Sequence, residues 1–171
     1  MMGVSQNVAV AVEKTLDFAA GARIFSARVL LQSARTTAET METIREVVQE
    51  YIGAEEAVIF EVDPQKTALW LHWSCGIDQT NYPFAEAIPR SLLERVLAGE
   101  SFFGADQAEE ENTQDVEFPP AVIPIFATGE IVGVLAIFRL RPEKSCLETS
   151  DRKICEAIAN CCSRILSMQG M

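Results

Sequence analysis

The sequence predicts an α+β domain built around a central antiparallel sheet of five to six strands. Three observations indicate this class. Apolar residues recur at helical spacing in residues 5–53, several short β-rich runs follow between residues 57 and 140, and residues 147–168 return to helical spacing. Strands grouped between helices are typical of α+β domains, in which the helices pack on the sheet.

The amino-terminal span predicts two or three helices. Gly21 is a predicted break within it, because glycine disfavours helix interiors. Thr36 is followed three residues later by Glu39, which is the spacing of a capping box and predicts a helix start. Gly53 is the predicted carboxy-terminal cap of that helix.

Residues 57–63 and 67–77 predict two strands joined by a turn at Asp63-Pro64-Gln65-Lys66. Strict alternation divides the second strand into two faces. One face carries Thr67, Leu69, Leu71, Trp73 and Cys75, and the other carries Ala68, Trp70, His72 and Ser74. Since both faces carry bulky side chains, we expect both to be covered.

A short helix over residues 89–100 and a third strand at 101–106 come next. Residues 105–117 then contain six acids and no base, which favours a solvated loop long enough to act as a lid. Residues 121–126 and 131–140 are nearly uncharged and predict a hairpin with a turn at Thr128 and Gly129. Their continuous apolar character is typical of central strands covered on both faces.

The closing helix has an unusually wide apolar face made of two adjacent stripes. The first contains Ile154, Ile158, Cys161, Ile165 and Met168, and the second contains Cys155, Ala159, Cys162 and Leu166. One stripe can pack on the sheet. We expect the other to meet the helices of a second copy, with Ile154, Ile158, Cys161 and Ile165 at the interface of a homodimer. The alternative is burial by the amino-terminal helices of the same chain.

Charge and composition exclude several classes of function. The 171 residues are 49% hydrophobic and 23% charged, as in globular proteins, and carry a net charge of −11. This acidity disfavours nucleic acid and anionic membrane as partners. The amino terminus predicts neither a signal peptide nor a membrane span, and five cysteines without C-x-x-C spacing indicate free thiols. We therefore expect a cytoplasmic protein.

The order of these elements resembles a GAF domain, a small-molecule sensor fold. The stretch "RSLLERVLAGESFFGAD" resembles the family's helix and following strand, and "AVIPIFATGEIVGVLAIFRL" resembles its proline-bearing strand, short turn and "iGvL" strand. The stretch "LETSDRKICEAIANCC" is similar to the closing helix of the family. The resemblance covers residues 25–168, so we assign residues 1–24 to a helical extension and 25–171 to the domain.

The resemblance implies a sheet with amino- and carboxy-terminal helices on one face and a ligand pocket on the other, roofed by the short helix and the long loop. GAF-like domains bind varied ligands or none, and the fold alone does not choose among them. The "N-K-x-x-F-x-x-x-D-E" pattern of cyclic-nucleotide binders is absent here. We predict no cofactor.

Candidate ligand-binding residues cluster near the second strand and the long loop. His72 between Trp70 and Trp73 has the chemistry to hold haem or a bilin, but a single histidine without a second motif is better explained as a hydrogen-bonded strand residue. Cys75 stands at the strand end, where exposure would make a thiol reactive. Phe103, Asp106 and Phe118 flank or begin the long loop and complete the predicted ligand-binding set.

Two further chemistries lack support. Free methionine-R-sulfoxide reductase is built on this fold and uses cysteines around the pocket and long loop, but residues 101–120 contain none. The acidic run from Glu109 to Glu117 offers oxygens to a divalent cation, but a mobile tract does not fix their geometry, so no metal site is predicted.

Three functional hypotheses follow. The first is a regulatory sensor that binds a small molecule and shifts its helical layer. The second is a ligand-free module that docks another protein. The third, an enzyme, lacks a recognisable catalytic constellation, so we predict no enzymatic activity. A sensor without an output segment needs a protein partner in trans.

Overall fold

The computed structural model describes residues 3–77, 87–104 and 118–169, with side chains from residue 18 to 167. The helices are α1 (Gly3–Ser33), α2 (Thr37–Glu46), α3 (Arg90–Leu97) and α4 (Thr149–Gln169), and a π-helical segment (Val47–Ile52) continues α2. The strands are β1 (Ala54–Val62), β2 (Leu69–Cys75), β3 (Phe102–Phe103), β4 (Ala121–Ala127) and β5 (Glu130–Leu140). The predicted lid over residues 105–117 lies outside the described residues.

The predicted helix break at Gly21 is wrong, because α1 runs through this position without interruption. A single glycine costs a helix only about 1 kcal/mol relative to alanine, which a long helix tolerates. The chain breaks instead before Thr36, whose side chain forms the predicted capping box with Glu39. Gly53 ends the π-helical segment with a φ of 78°, as its predicted role as a cap requires. The assigned boundary between residues 24 and 25 falls inside α1.

The five strands form one antiparallel sheet in the order β2-β1-β5-β4-β3. The predicted β4–β5 hairpin is confirmed. Of its two strands, β5 is the central strand of the sheet. Thr128 and Gly129 form the turn with positive φ values of 51° and 83°, which fit a type I′ hairpin.

Two apolar cores lie on opposite faces of the sheet, so the α+β arrangement predicted from the sequence is confirmed. The first face, which we call the helical face, packs against α1, α2 and α4 and includes Ile59, Ile123 and Leu135. The second, which we call the distal face, packs against α3 and includes Phe60, Val122 and Val134. Each face of the central strand is therefore buried.

Strict alternation in β2 is wrong because the strand contains a β-bulge. Trp73 pairs with Ile59, whereas Leu71 pairs with the next residue of β1, Phe60, so His72 is the extra residue. The bulge moves Trp73 and Cys75 to the helical face, while Leu69 packs toward the distal face. A single extra residue thus puts Leu69 on the opposite face of β2 from Trp73 and Cys75, although strict alternation predicts one face for all three.

Both predicted stripes of α4 are buried within the single chain over the described side chains. Ile154, Ile158, Cys161 and Ile165 are all buried, so they are not available as a dimer surface. The Sγ of Cys161 lies 3.8 Å from the carbonyl oxygen of Leu31, which identifies α1 as the neighbour on that side. The covering helix comes from the same chain, as the alternative interpretation proposed. Met168 lies outside the described side chains.

The second stripe of α4 rests against β5 at Gly133. A Cβ at this glycine would lie 2.5 Å from Cδ1 of Leu166 and 2.7 Å from the backbone oxygen of Phe60. A side chain at this position would therefore force Leu166 and the strand backbone to shift.

We expect Gly133→Ala to lower the free energy of unfolding by about 1–3 kcal/mol, because it overpacks a closed interface. Urea denaturation measures the effect. Gly21→Ala is the matched control: a Cβ there meets nothing within 4 Å, and the helix should gain up to about 1 kcal/mol. Equal effects of the two substitutions would contradict the close approach of α4 to β5.

Candidate functional site

A cavity of about 550 Å³ opens at the end of the sheet where β5 finishes. Phe118 and Phe138, which pack against the distal core, form part of its apolar wall, and Pro119, Pro120 and Pro142 extend that wall. Its polar residues come mostly from β5 and the segment after it: Glu56, Arg139, Arg141, Lys144 and Ser145. The site therefore combines an apolar wall with a basic one.

Cross-strand pairing positions the first of these bases. Arg139 lies opposite Glu56 in the β1–β5 register. Its Nε lies 2.8 Å from a carboxylate oxygen of Glu55, and its Nη2 lies 3.1 Å from one of Glu56. Two acids therefore fix this guanidinium at the mouth of the cavity.

Arg141 is held more loosely than Arg139. Its Nη2 lies 3.4 Å from a carboxylate oxygen of Glu50, which is 64% exposed. Exposed ion pairs of this kind contribute little to stability, because water screens them and both side chains lose freedom. Arg141 can therefore exchange this partner for another anion at small cost.

Lys144 connects the cavity to a buried carboxylate. Its Nζ lies 2.9 Å from Oδ2 of Asp151, which is completely buried, and also donates to the carbonyl oxygen of Ile52. Arg23 of α1 approaches the other oxygen of Asp151 at 3.0 Å. We call Arg23, Lys144 and Asp151 the Asp151 cluster.

The Asp151 cluster joins three parts of the fold. The backbone N–H of Glu148 donates to Asp151 at 2.8 Å, which fixes the start of α4. Arg23 also donates to the hydroxyl of Ser150, while its Nε is buried without a hydrogen-bond partner among the described residues. Through this cluster α1 is bound to α4 and to the cavity wall.

The residues predicted to bind a ligand are not brought together. Among those that the structure describes, only Phe118 lines the cavity. Trp73, Cys75 and Phe103 belong to the core of the helical face, and Trp70 is 62% exposed on β2. His72 occupies the bulge. Asp106 lies outside the described residues.

Cys75, Cys155 and Cys162 are buried and do not have the environment of reactive thiols. Burial raises the pKa of Cys75, and the nearby charge of Arg45 only partly opposes this. Burial raises the pKa of Cys155 to about 12 and also raises that of Cys162. Because the thiolate is the nucleophile, these groups behave as small apolar side chains.

Sequence reasoning missed the basic wall and Asp151. A signal was present: Arg139, Arg141 and Lys144 place three of the chain's 14 bases within six residues of a strongly acidic protein. The position of Asp151 in the first turn of α4 is one where an acid is favourable in any helix, so it does not indicate a buried ion pair. Its partners lie on other elements, so its local sequence did not reveal its burial.

Comparison with protein families decides the identity of the fold. The model of the GAF domain matches residues 36–164. The chain belongs to the GAF domain family. The match begins after the end of α1 and covers α2, α3, most of α4 and the five described strands, together with the cavity's basic wall and Asp151.

Solved GAF domains and related signalling proteins share this fold at low sequence identity. A methyl-accepting chemotaxis protein fragment has a TM-score of 0.58 at 16% identity, over 83% of this chain and 95% of that chain. The Nlh2 GAF domain of A. aeolicus, in an inactive state, has a TM-score of 0.54 at 17% identity, over 90% and 99%. A domain of a two-component sensor histidine kinase from Sinorhizobium meliloti has a TM-score of 0.51 at 17% identity, over 80% and 93%.

A comparison with curated protein sequences gives no significant match. Within the described part of the GAF chain, none of the helices has both the length and the apolar character needed to cross a bilayer.

Proposed function

We propose that this GAF domain is a non-enzymatic cytoplasmic sensor that works as a homodimer and passes its signal to a protein partner in trans. The observation that carries the proposal is an apolar stripe on the outer side of α1. It contains Phe18, Ala22, Phe25 and Val29, which are all exposed in the single chain. We call these four residues the outer stripe.

The outer stripe has the spacing of a coiled-coil seam. Its members are separated by four, three and four residues, the pattern that keeps apolar side chains facing a partner helix. The exposed fractions of Phe18, Phe25 and Val29 are 79%, 68% and 46%. An aligned row of exposed apolar side chains of this size marks an interaction surface.

A second copy of the chain fits this surface best. A heptad seam is self-complementary, so two α1 helices related by a two-fold axis offer each other the same apolar row. The opposite side of α1 is already used, because Ala27 and Leu31 are buried in the core of the helical face. One side of α1 can thus pack on its own domain while the other side packs on a second copy.

We expect Phe25→Glu to convert the dimer to a monomer without loss of helicity, because a charge in the seam must be desolvated on pairing. Sedimentation velocity gives the mass, and circular dichroism gives the helix content. Ser26→Glu is the matched control, since it adds the same charge one residue away on an exposed position outside the outer stripe. A wild-type monomer, or a Phe25→Glu variant that remains dimeric, would contradict the proposed seam.

The ligand-free interaction module is the second candidate. It is favoured by the distal core, whose buried members are all apolar: Val58, Phe60, Val62, Ile88, Leu92, Val96, Phe102, Val122, Ile131, Val134 and Ala136. Among the described residues, these buried side chains offer a ligand no hydrogen-bonding group. In this alternative the outer stripe docks a helix of a different protein. A wild-type monomer that forms a stoichiometric complex with one protein from its native cell, lost in Phe25→Glu, would favour it over the homodimer.

A further inference from the structure

We propose that the cavity at the end of β5 binds a small organic carboxylate with a flat apolar body. The cavity volume of about 550 Å³ lies within the roughly 300–1,000 Å³ range of small-molecule sites. Its apolar wall offers the rings of Phe118 and Phe138, and its basic wall offers Arg139, Arg141 and Lys144. A ligand that fits both walls has one apolar part and one anionic part.

The charges favour an anion over a cation. Among the described residues, three bases and one acid, Glu56, line the cavity, although the chain as a whole is acidic. A planar guanidinium matches the geometry of a carboxylate and can bind it through two parallel hydrogen bonds. Arg141 is the main recognition group in this proposal, because its present partner Glu50 is exposed and separated by 3.4 Å.

The existing ion pairs favour a single carboxylate over a phosphate. A ligand carboxylate replaces the carboxylate of Glu50 one for one, so the charge around Arg141 does not change. A doubly charged phosphate needs additional positive charge, but Arg139 already contacts two acids and Lys144 contacts the buried Asp151. The basic wall is therefore suited to one negative charge.

Lys144 provides a route from this cavity to α1. It lines the cavity and contacts Asp151, whose other oxygen contacts Arg23. The backbone N–H of Lys144 donates to the carbonyl oxygen of Arg141 at 2.9 Å, so a ligand that displaces Arg141 acts on the segment carrying Lys144 and, through Asp151, on the anchor of α1. This coupling step rests on the proposed sensor function, whereas binding of the carboxylate does not.

The test is calorimetric titration of the full chain with 2-naphthoate and benzoate, using 2-naphthamide as the uncharged control. We expect the carboxylates to bind and to raise the melting temperature, and the amide to bind about tenfold more weakly or not at all, because it lacks a charge-assisted hydrogen bond. Arg141→Gln should weaken naphthoate binding about tenfold and leave amide binding unchanged.

Arg95→Gln is the matched control variant, because Arg95 also forms an exposed ion pair, with Glu100, but does not line the cavity. It should bind naphthoate as the wild type does. Failure of both carboxylates to bind at millimolar concentration, equal binding of naphthoate and naphthamide, or full affinity in Arg141→Gln would overturn the proposal. The same titration on the Phe25→Glu variant separates the two proposals, since the site is judged by heat of binding and the dimer by sedimentation.

Discussion

Replacing Asp151 with alanine should lower the free energy of unfolding by about 3–5 kcal/mol, which is the usual cost of removing one partner from a buried ion pair. The carboxylate is completely buried and holds Arg23 and Lys144 at 3.0 and 2.9 Å. Without it, two partly buried cations face each other with no compensating charge. Urea denaturation followed by circular dichroism measures the loss, provided that the slope with urea concentration is unchanged.

Two further variants define the origin of this effect. Asp151→Asn keeps the shape and one oxygen acceptor but removes the charge, so we expect most of the loss to remain. Glu94→Ala removes an acid from the exposed Arg90–Glu94 pair and should change stability by less than about 1 kcal/mol. If Asp151→Ala and Glu94→Ala were equally mild, the Asp151 cluster would not anchor α1.

Replacing Ile158 with glutamate should unfold the domain rather than separate a dimer. Ile158 is completely buried in the core of the helical face, and an unpaired charge there costs several kcal/mol. Burial would raise the pKa of the new glutamate above its unfolded value of about 4.3, so the deficit relative to wild type should be full at neutral pH. The stability deficit should shrink as the pH is lowered toward about 4.3, because the new glutamate then becomes protonated in the unfolded state and its ionisation no longer stabilises that state.

Circular dichroism and sedimentation at the same protein concentration distinguish the two outcomes. Loss of helicity, together with loss of the species that sediments with the native mass, fits burial of Ile158 within one chain. A folded monomer with native helicity would contradict it and return Ile158 to the dimer interface. Asn160→Glu is the matched control, because it places the same charge on an exposed position of α4.

Local interactions made much of the fold predictable from the sequence. The capping box of Thr36 and Glu39, the cap at Gly53 and the turn at Thr128 and Gly129 each depend on residues within a few positions of one another. Such signals are readable because the side chain and the backbone group it satisfies are adjacent in the chain.

The faces of β2 and the partner of α4 were not predictable in the same way. The bulge at His72 depends on how β2 aligns with β1, so the residue pattern of β2 alone does not predict it. Likewise, the wide apolar face of α4 indicates that a second partner exists but does not identify it. Whether that partner is α1 of the same chain or of another is decided by tertiary packing.

The candidate site depends on contacts between distant parts of the chain. Arg23 and Asp151 are 128 positions apart, and Arg141 and Glu50 are 91 positions apart. The aromatic and sulfur residues of β2 suggest a binding site from the sequence because each side chain has distinctive chemistry on its own. The three bases of the basic wall indicate a binding site only when the cavity that they line is known.

The unbroken course of α1 gives the helix the mechanical properties of a lever. With 31 residues it is about 46 Å long, at about 1.5 Å per residue, and its ionic anchor at Arg23 lies well inside it. The 20 residues between Gly3 and Arg23 span about 30 Å, so a tilt of about 10° at the anchor displaces the far end by about 5 Å. A hinge at Gly21 would have absorbed such a tilt locally, whereas a continuous helix transmits it, enlarged, to its amino-terminal end.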